Sequence, residues 1–254
     1  MEIITQKVEN LPVYIFNTRA EMGVKAAEDA AKIINETIAK NGVANVVFAA
    51  APSQNDLLEN LLKQDIDWTK VRGFHQDEYI GIDASEPAGF GTWLRRAIFD
   101  KVPFMELHYL LCSADEAEAK CAEYTELLKK YPIDLIFLGI GENGHLAFND
   151  PAVADFNDPK MVKIVELDDV CRQQQVNDGC FPTLNDVPKQ AMSLTMSFIM
   201  SVPNAICVVP TDRKANAVYG ATRGEVTTAC PASILRQHKN AGLYLDKAAA
   251  SKIL

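Results

Sequence analysis

No run of basic residues interrupts this 254-residue chain, and its 25 Lys and Arg are outnumbered by 34 Asp and Glu, for a formal net charge of -9. That balance argues against nucleic acid as a partner, because a surface for a polyanion must offset phosphate charge. No apolar stretch is long enough to span a bilayer, and the amino terminus MEIITQKVEN lacks the basic-then-apolar order of a secretory signal. The expected location is therefore the cytoplasm, with no membrane partner. CxxC and HExxH spacings are both missing, so no metal is implied. The six cysteines, Cys112, Cys121, Cys171, Cys180, Cys207 and Cys230, are scattered and read as free, mostly buried thiols. There is no internal repeat, linker or low-complexity segment, so residues 1–254 read as a single domain.

What is present is ordinary globular composition, 48% hydrophobic and 23% charged, enough to bury a substantial core. Thr18 with Glu21 is a capping-box pattern opening a helix whose apolar face is Ala27, Ala30, Ala31, Ile34 and Ile38, stopped by Asn41 and Gly42. Val46 to Ala51 is a continuous apolar run, the mark of a strand buried on both faces. Ser53 and Asp56 repeat the capping signal before Leu57. Val71 to Phe74, Leu107 to Cys112, Met161 to Leu167, Ala191 to Met196, Ala205 to Val209 and Leu243 to Leu245 read as further strands. Helical segments surround Trp93, follow the Ser113 and Glu116 cap, begin at Pro231 and form the tail. Alternating strand and helix predicts an α/β fold with a doubly wound, mostly parallel sheet and helices on both faces, Rossmann-like.

The chain is organised around IDLIFLGIGENGHLAFNDP, Ile133 to Pro151. An apolar, β-branched strand breaks at Gly139, Gly141 and Gly144, then presents Glu142, Asn143, His145, Asn149 and Asp150. A strand ending in a glycine-permitted turn delivers polar side chains to the carboxyl edge of an open sheet. Other polar clusters also follow strands: Ser53, Gln54 and Asn55, then Asp77 and Glu78, then Lys214. Each has a plainer reading. Ser53 is a good helix cap, although a helix start after a strand also attracts anions. Lys214 by itself is a solvated lysine, and the two acids could be a turn pair. His75, His108 and His238 read as structural or surface residues, whereas His145, after a glycine and flanked by acids, suits proton transfer. The segment AVADFNDPK beyond Pro151 is turn-rich and reads as a lid.

GIGENGHLAFNDP resembles the signature of the glucosamine-6-phosphate deaminase family, a branch of the sugar-phosphate isomerase and 6-phosphogluconolactonase superfamily. HQDEYIGI, His75 to Ile82, looks like the family segment that carries its base, and DVPKQAMSLT, Asp186 to Thr195, like its next landmark. The lactonase branch has glycine-histidine here too but continues with alanine, serine and leucine, whereas His145 is followed by LAFND. The resemblance implies isomerisation of an amino-sugar 6-phosphate to a ketose 6-phosphate with loss of ammonia, and no cofactor. In that scheme His145 assists ring opening, Asp77 moves a proton from C2 to C1, and Asn143 and Asp150 complete the relay. Lys214 meets the phosphate with Ser53, Gln54, Asn55 and backbone around Gly141 and Gly144, and Glu78 joins the binding set.

Four positions depart from the family pattern. Asn143 stands where an aspartate is usual, so less charge faces the imidazole and His145 is expected to be a weaker cation. Asp150 replaces a longer glutamate. AAPSQND replaces a glycine- and threonine-rich phosphate turn, and QQQVNDGCF lacks the family's phosphate arginine, with Arg172 the one nearby. The competing readings are a lactonase in which His145 activates water, and a non-catalytic sugar-phosphate sensor. The expected partner is a small phosphosugar, whether the chain is a monomer or a homo-oligomer.

Overall fold

In the strand Leu135–Leu138, Leu135 and Phe137 belong to one buried cluster while Ile136 and Leu138 belong to the other, and all four are fully enclosed. Side chains alternate across a strand, so a strand apolar at every position must be covered on both faces. The same partition runs through Val46 and Phe48 against Val47, and through Ile206 and Val208 against Cys207 and Val209. The sheet is thus the middle layer of three.

The computed structural model describes residues 3–177 and 179–254. In chain order the elements are β1 (Ile3–Val8), β2 (Leu11–Phe16), α1 (Arg19–Asn41), β3 (Ala44–Phe48), α2 (Asn55–Leu61), β4 (Val71–His75), β5 (Asp77–Tyr79) and α3 (Phe90–Leu94). They continue as β6 (Glu106–His108), α4 (Ala117–Lys130), β7 (Leu135–Leu138), β8 (Val162–Glu166), α5 (Asp169–Asn177), β9 (Gln190–Leu194), α6 (Met196–Ser201), β10 (Asn204–Val209), α7 (Ala215–Arg223) and β11 (Ala241–Asp246). The main sheet has eight strands in the order β1-β2-β11-β10-β7-β3-β4-β6, parallel except for the edge strand β1, which pairs antiparallel with β2. This is the doubly wound α/β arrangement expected from the sequence, in one domain. No described helix is long and apolar enough to cross a membrane.

Thr18 caps α1 as its sequence implies: its side chain accepts from the Glu21 amide, the Glu21 carboxylate accepts in return, and Gly42 closes the helix at φ 83°. Elsewhere the structure corrects the sequence reading. Ser53 does not cap α2, because Pro52 starts a tight turn early and places Ser53 inside it, with no side-chain cap bond. The polar stretch after Asp168, to which the sequence pattern assigns no element, is helical, as α5. The tail forms successive turns, Ala250 N donating to Asp246 O and Leu254 N to Ala250 O, rather than a regular helix. The β1–β2 hairpin and a second sheet, β5-β9-β8, antiparallel throughout, were not anticipated.

The expected lid is also different. Residues 151–160 are tied down: Lys163 Nζ lies 2.8 Å from the Asp158 carboxylate and donates to Val153 O at 2.7 Å, while Ser197 Oγ donates to Asp158 O at 2.6 Å. They line no part of the cavity described next.

Candidate active site

The chain winds outward from β3 through β4 to β6, and in the opposite direction from β7 through β10 to β11, so the order reverses between β7 and β3. An open α/β sheet leaves a crevice at such a switch point, beyond the carboxyl ends of its strands. A cavity of about 480 Å³ lies there, a volume suited to a small metabolite. Into it β2 delivers Arg19, β3 delivers Ala49 to Ser53, β4 delivers Gln76 and Asp77, β7 delivers Gly139, Ile140, Gly141 and His145, and β10 delivers Pro210, Thr211, Arg213 and Lys214. Phe90 and Trp93 of α3, the loop before it, Phe148, and Gln174 and Gln175 of α5 form the remaining walls.

His145 is held from behind. Its Nδ1 lies 2.7 Å from Asn143 Oδ1 and 2.9 Å from Asp150 Oδ1, and Asn143 Nδ2 donates to that same carboxylate oxygen at 2.9 Å. The backbone N–H of His145 donates to Asn143 Oδ1 at 3.1 Å, which fixes the orientation of the amide. Both groups facing Nδ1 are acceptors, so Nδ1 carries a hydrogen and the lone pair falls on Nε2. Asp150 is fully buried. Burial works to raise its pKa, but the bonds from His145 and Asn143 outweigh it and hold the carboxyl below its usual range. Asn143 brings no charge to the ring, as its amide implies, and the turn supplies one by bringing the Asp150 carboxylate, seven residues further on, to Nδ1 despite its shorter side chain.

Glycine makes this turn possible at two points. The imidazole lies over Gly141, where a Cβ would meet the ring at 2.1 Å, and Gly144 has φ +86° with Cys230 Sγ 2.7 Å from where its Cβ would be.

Asp77 opens β5 rather than ending β4, and pairs with Ser193 of β9. It is buried at the cavity wall, and burial, with the neighbouring Glu78 charge, raises its pKa well above the usual carboxylate range. A carboxylate so destabilised is a stronger base toward a carbon acid. Glu78 points elsewhere. Its carboxylate accepts from Gly91 N at 2.7 Å, Phe90 N at 3.1 Å and its own neighbour Tyr79 N at 2.9 Å, so it ties the strand carrying Asp77 to the start of α3. Burial pushes its pKa to about 7 against those amides.

Positive charge gathers at the β2 and β10 ends. Arg19, Arg213 and Lys214 line the cavity with the Ser53 hydroxyl. Arg19 bonds the Asp56 carboxylate and the Pro52 carbonyl, fixing the turn that carries Ser53. Thr211 sits at φ 81°, a region a β-branched residue rarely occupies, and its N–H donates to both Asp246 carboxylate oxygens at 3.1 Å. That strained residue turns the chain so that Arg213 and Lys214 follow at the cavity.

Several residues expected at the site lie behind it. Gln54 is fully buried and donates to Leu138 O at 3.1 Å, bracing the Ser53 turn against β7; Asn55 begins α2 outside the cavity; Glu78 and Gly144 play the structural parts above. Arg172 is no substitute for a phosphate arginine: its guanidinium donates to Leu184 O and Val187 O and pairs with Asp169. The sequence reading passed over Gln76, Arg19, Arg96, Trp93 and Gln174 as site residues. Position after a strand would have flagged Gln76, and the same rule fails for Arg19 only because β2 went unread.

Among the described residues, ligand atoms of His145, Asp150 and Cys171 lie within 4.8 Å of one another, a donor set that could suggest a metal. The donor chemistry does not fit one. Burial and the adjacent Asp150 carboxylate push the Cys171 thiol far above its usual range, against forming thiolate, while Nδ1 and the carboxylate are already committed to each other.

Residues 17–244 match the family described as glucosamine-6-phosphate isomerases/6-phosphogluconolactonase. A glucosamine-6-phosphate deaminase of Listeria welshimeri is 33% identical over 231 residues, covering 91% of this chain and 97% of the relative. One from Enterococcus faecalis is 31% identical over 233 residues, covering 91% and 98%. Among solved structures, a monomeric glucosamine-6-phosphate deaminase superposes with a TM-score of 0.85 at 26% identity, covering 94% of this chain and 99% of that one. A 6-phosphogluconolactonase from Trypanosoma brucei has the same fold, with a TM-score of 0.77 at 17% identity over 99% of this chain and 100% of its own.

Asp77 carries a consequence for stability. With its pKa raised in the folded chain, Asp77 keeps its proton at pH values where the unfolded chain has lost it, so its contribution to stability declines as pH rises from about 4 through the folded-state value. Asp77→Asn removes that decline. Thermal denaturation should show the variant with a higher Tm than wild type, by a margin that grows from about pH 5 to about pH 8. A margin that shrinks as pH rises contradicts the assignment.

Proposed function

The chain belongs to the glucosamine-6-phosphate isomerase/6-phosphogluconolactonase family, which makes it an enzyme acting on a sugar phosphate, and on that premise we propose that it is an amino-sugar 6-phosphate deaminase. It converts glucosamine 6-phosphate, or a close epimer, with one water to the ketose 6-phosphate and ammonia. The observation that carries this reading is a buried, basic carboxylate and a carboxylate-backed imidazole on the walls of one cavity, with cationic groups on its other strands.

In this reading Lys214, Arg213 and the Ser53 hydroxyl receive the phosphate, an anion suited to cations and hydroxyl donors at strand ends. His145 uses Nε2 to move the proton between the sugar's anomeric hydroxyl and its ring oxygen, opening the ring, while Asp150 and Asn143 keep the hydrogen on Nδ1. Asp77 then takes the proton from C2 and returns it to C1. That transfer, together with a proton passing from the C2 nitrogen to the C1 oxygen, turns the amino aldose into a C2 imine bearing a C1 hydroxyl, which water hydrolyses to ketone and ammonia. One short carboxylate serves both carbons because they are neighbours.

A lactonase is the second reading. It would keep His145 to activate water and leave Asp77 without a task, which fits poorly with the cost of burying that acid at the cavity wall. The LAFND sequence after His145 and the higher identity to deaminases also favour the first.

The test supplies glucosamine and galactosamine 6-phosphates and 6-phosphogluconolactone and scores ammonia, ketose and acid. Ammonia and ketose in equal amounts are expected from an amino sugar, with Asp77→Asn lowering kcat by roughly 10²- to 10⁴-fold. Lactone hydrolysis without ammonia release, or full turnover in Asp77→Asn, would overturn the reading. Gly141→Ala gives a separate check. Its Cβ would stand 2.1 Å from the His145 ring, so the imidazole must shift, and a fall in kcat/KM of about 100-fold is expected in a chain that still folds. Unchanged turnover would mean that the ring position does not matter.

A further inference from the structure

Gln76 stands between the last residue of β4 and the first of β5. Its carbonyl accepts from Leu194 N at 3.2 Å, which fixes the backbone, and the residue lines the cavity beside Asp77 although it is only 2% exposed. The amide nitrogen is buried and has no hydrogen-bond partner among the described residues. Gln54 shows what a purely structural glutamine does in this fold: its Nε2 donates to Leu138 O at 3.1 Å and to Ser53 Oγ at 3.2 Å. Gln76 has no such anchor, and a primary amide with unpaired donors in a protein interior is unfavourable until something supplies an acceptor.

We propose that Gln76 is a specificity residue whose amide hydrogen-bonds an oxygen substituent of the bound sugar chain, next to the carbons on which Asp77 acts. The inference rests on the sugar-phosphate reading above and deepens it. Gln76 and Asp77 are consecutive and both line the cavity, so a ligand carbon placed for Asp77 brings its neighbouring substituents close to the amide. The unpaired group is a donor, and a donor needs a lone pair. A hydroxyl or carbonyl oxygen offers one, whereas a protonated amine offers none. The contact therefore selects for oxygen at that position. A site built to pair with a hydroxyl also rejects the analogue that lacks it, because the buried amide is then left alone again.

The test is a binding cycle that needs no turnover. Calorimetry would compare glucitol 6-phosphate, an open-chain polyol, with its analogues lacking the oxygen at C1, C2 or C3, on wild type and on Gln76→Leu. Loss of one of these oxygens should weaken binding to wild type by roughly 10- to 100-fold, and the same loss should leave binding to Gln76→Leu nearly unchanged. Inorganic phosphate, which uses the Lys214 end, should bind both proteins equally and report that the variant is folded; Gln76→Met serves in its place if it is not. If every deoxy analogue loses the same factor in the variant as in wild type, Gln76 makes no such contact and the inference falls alone. If wild type binds neither the polyol phosphates nor any amino-sugar 6-phosphate, the sugar-phosphate reading fails and takes the inference with it.

Discussion

A buried carboxylate must face a positive or hydrogen-donating partner, and in this protein the partner of Asp150 is the His145 ring at 2.9 Å. Much of the site's geometry follows from that requirement. The two residues are brought together by the chain reversing within a few residues after β7, which needs glycine under the ring at Gly141 and at positive φ at Gly144. Asn143 braces both groups, giving its amide nitrogen to Asp150 Oδ1 and its oxygen to the imidazole. The strand that ends at Leu138 can present this turn only because it is covered on both faces, so that its carboxyl end projects at a fixed point of the sheet.

Charge is divided across the cavity in the same way. On the β4 side, burial leaves Asp77 basic, and Glu78 spends its carboxylate on the amides of Phe90 and Gly91, which locks the strand of Asp77 to the wall that holds Phe90 and Trp93. On the β2, β3 and β10 side, cations line the wall around the Ser53 turn, and a strained Thr211 held by Asp246 aims the chain toward Lys214. An anionic group at one end and proton transfer at the other is the division that an isomerisation of a phosphorylated sugar requires.

The central strands β3, β7 and β10 were legible because each carries an uninterrupted apolar run beside turn formers, and the carboxyl-edge rule then brought Ser53, Asp77, His145 and Lys214 to one cavity. The hairpin β1–β2 was not, since an edge strand half exposed to solvent carries little apolar signal and Pro12 disguises its partner. Missing it hid Arg19. The partition between groups that face the cavity and groups that brace it was also beyond sequence patterns: Gln54, Glu78 and Arg172 are polar residues near the site whose bonds all go to backbone or to neighbouring side chains. The charge behind His145 could be read only in part, because the reach of Asp150 across the turn depends on the fold of the turn itself.

The account depends most on Asp150 as the charge that keeps His145 in its working tautomer. Its direct test is steady-state turnover of an amino-sugar 6-phosphate by Asp150→Asn, whose amide preserves the size of the side chain and removes its charge. A fall in kcat/KM of about 100-fold or more, with the affinity for inorganic phosphate unchanged, is the expected result. Turnover within about twofold of wild type in a folded variant would contradict it.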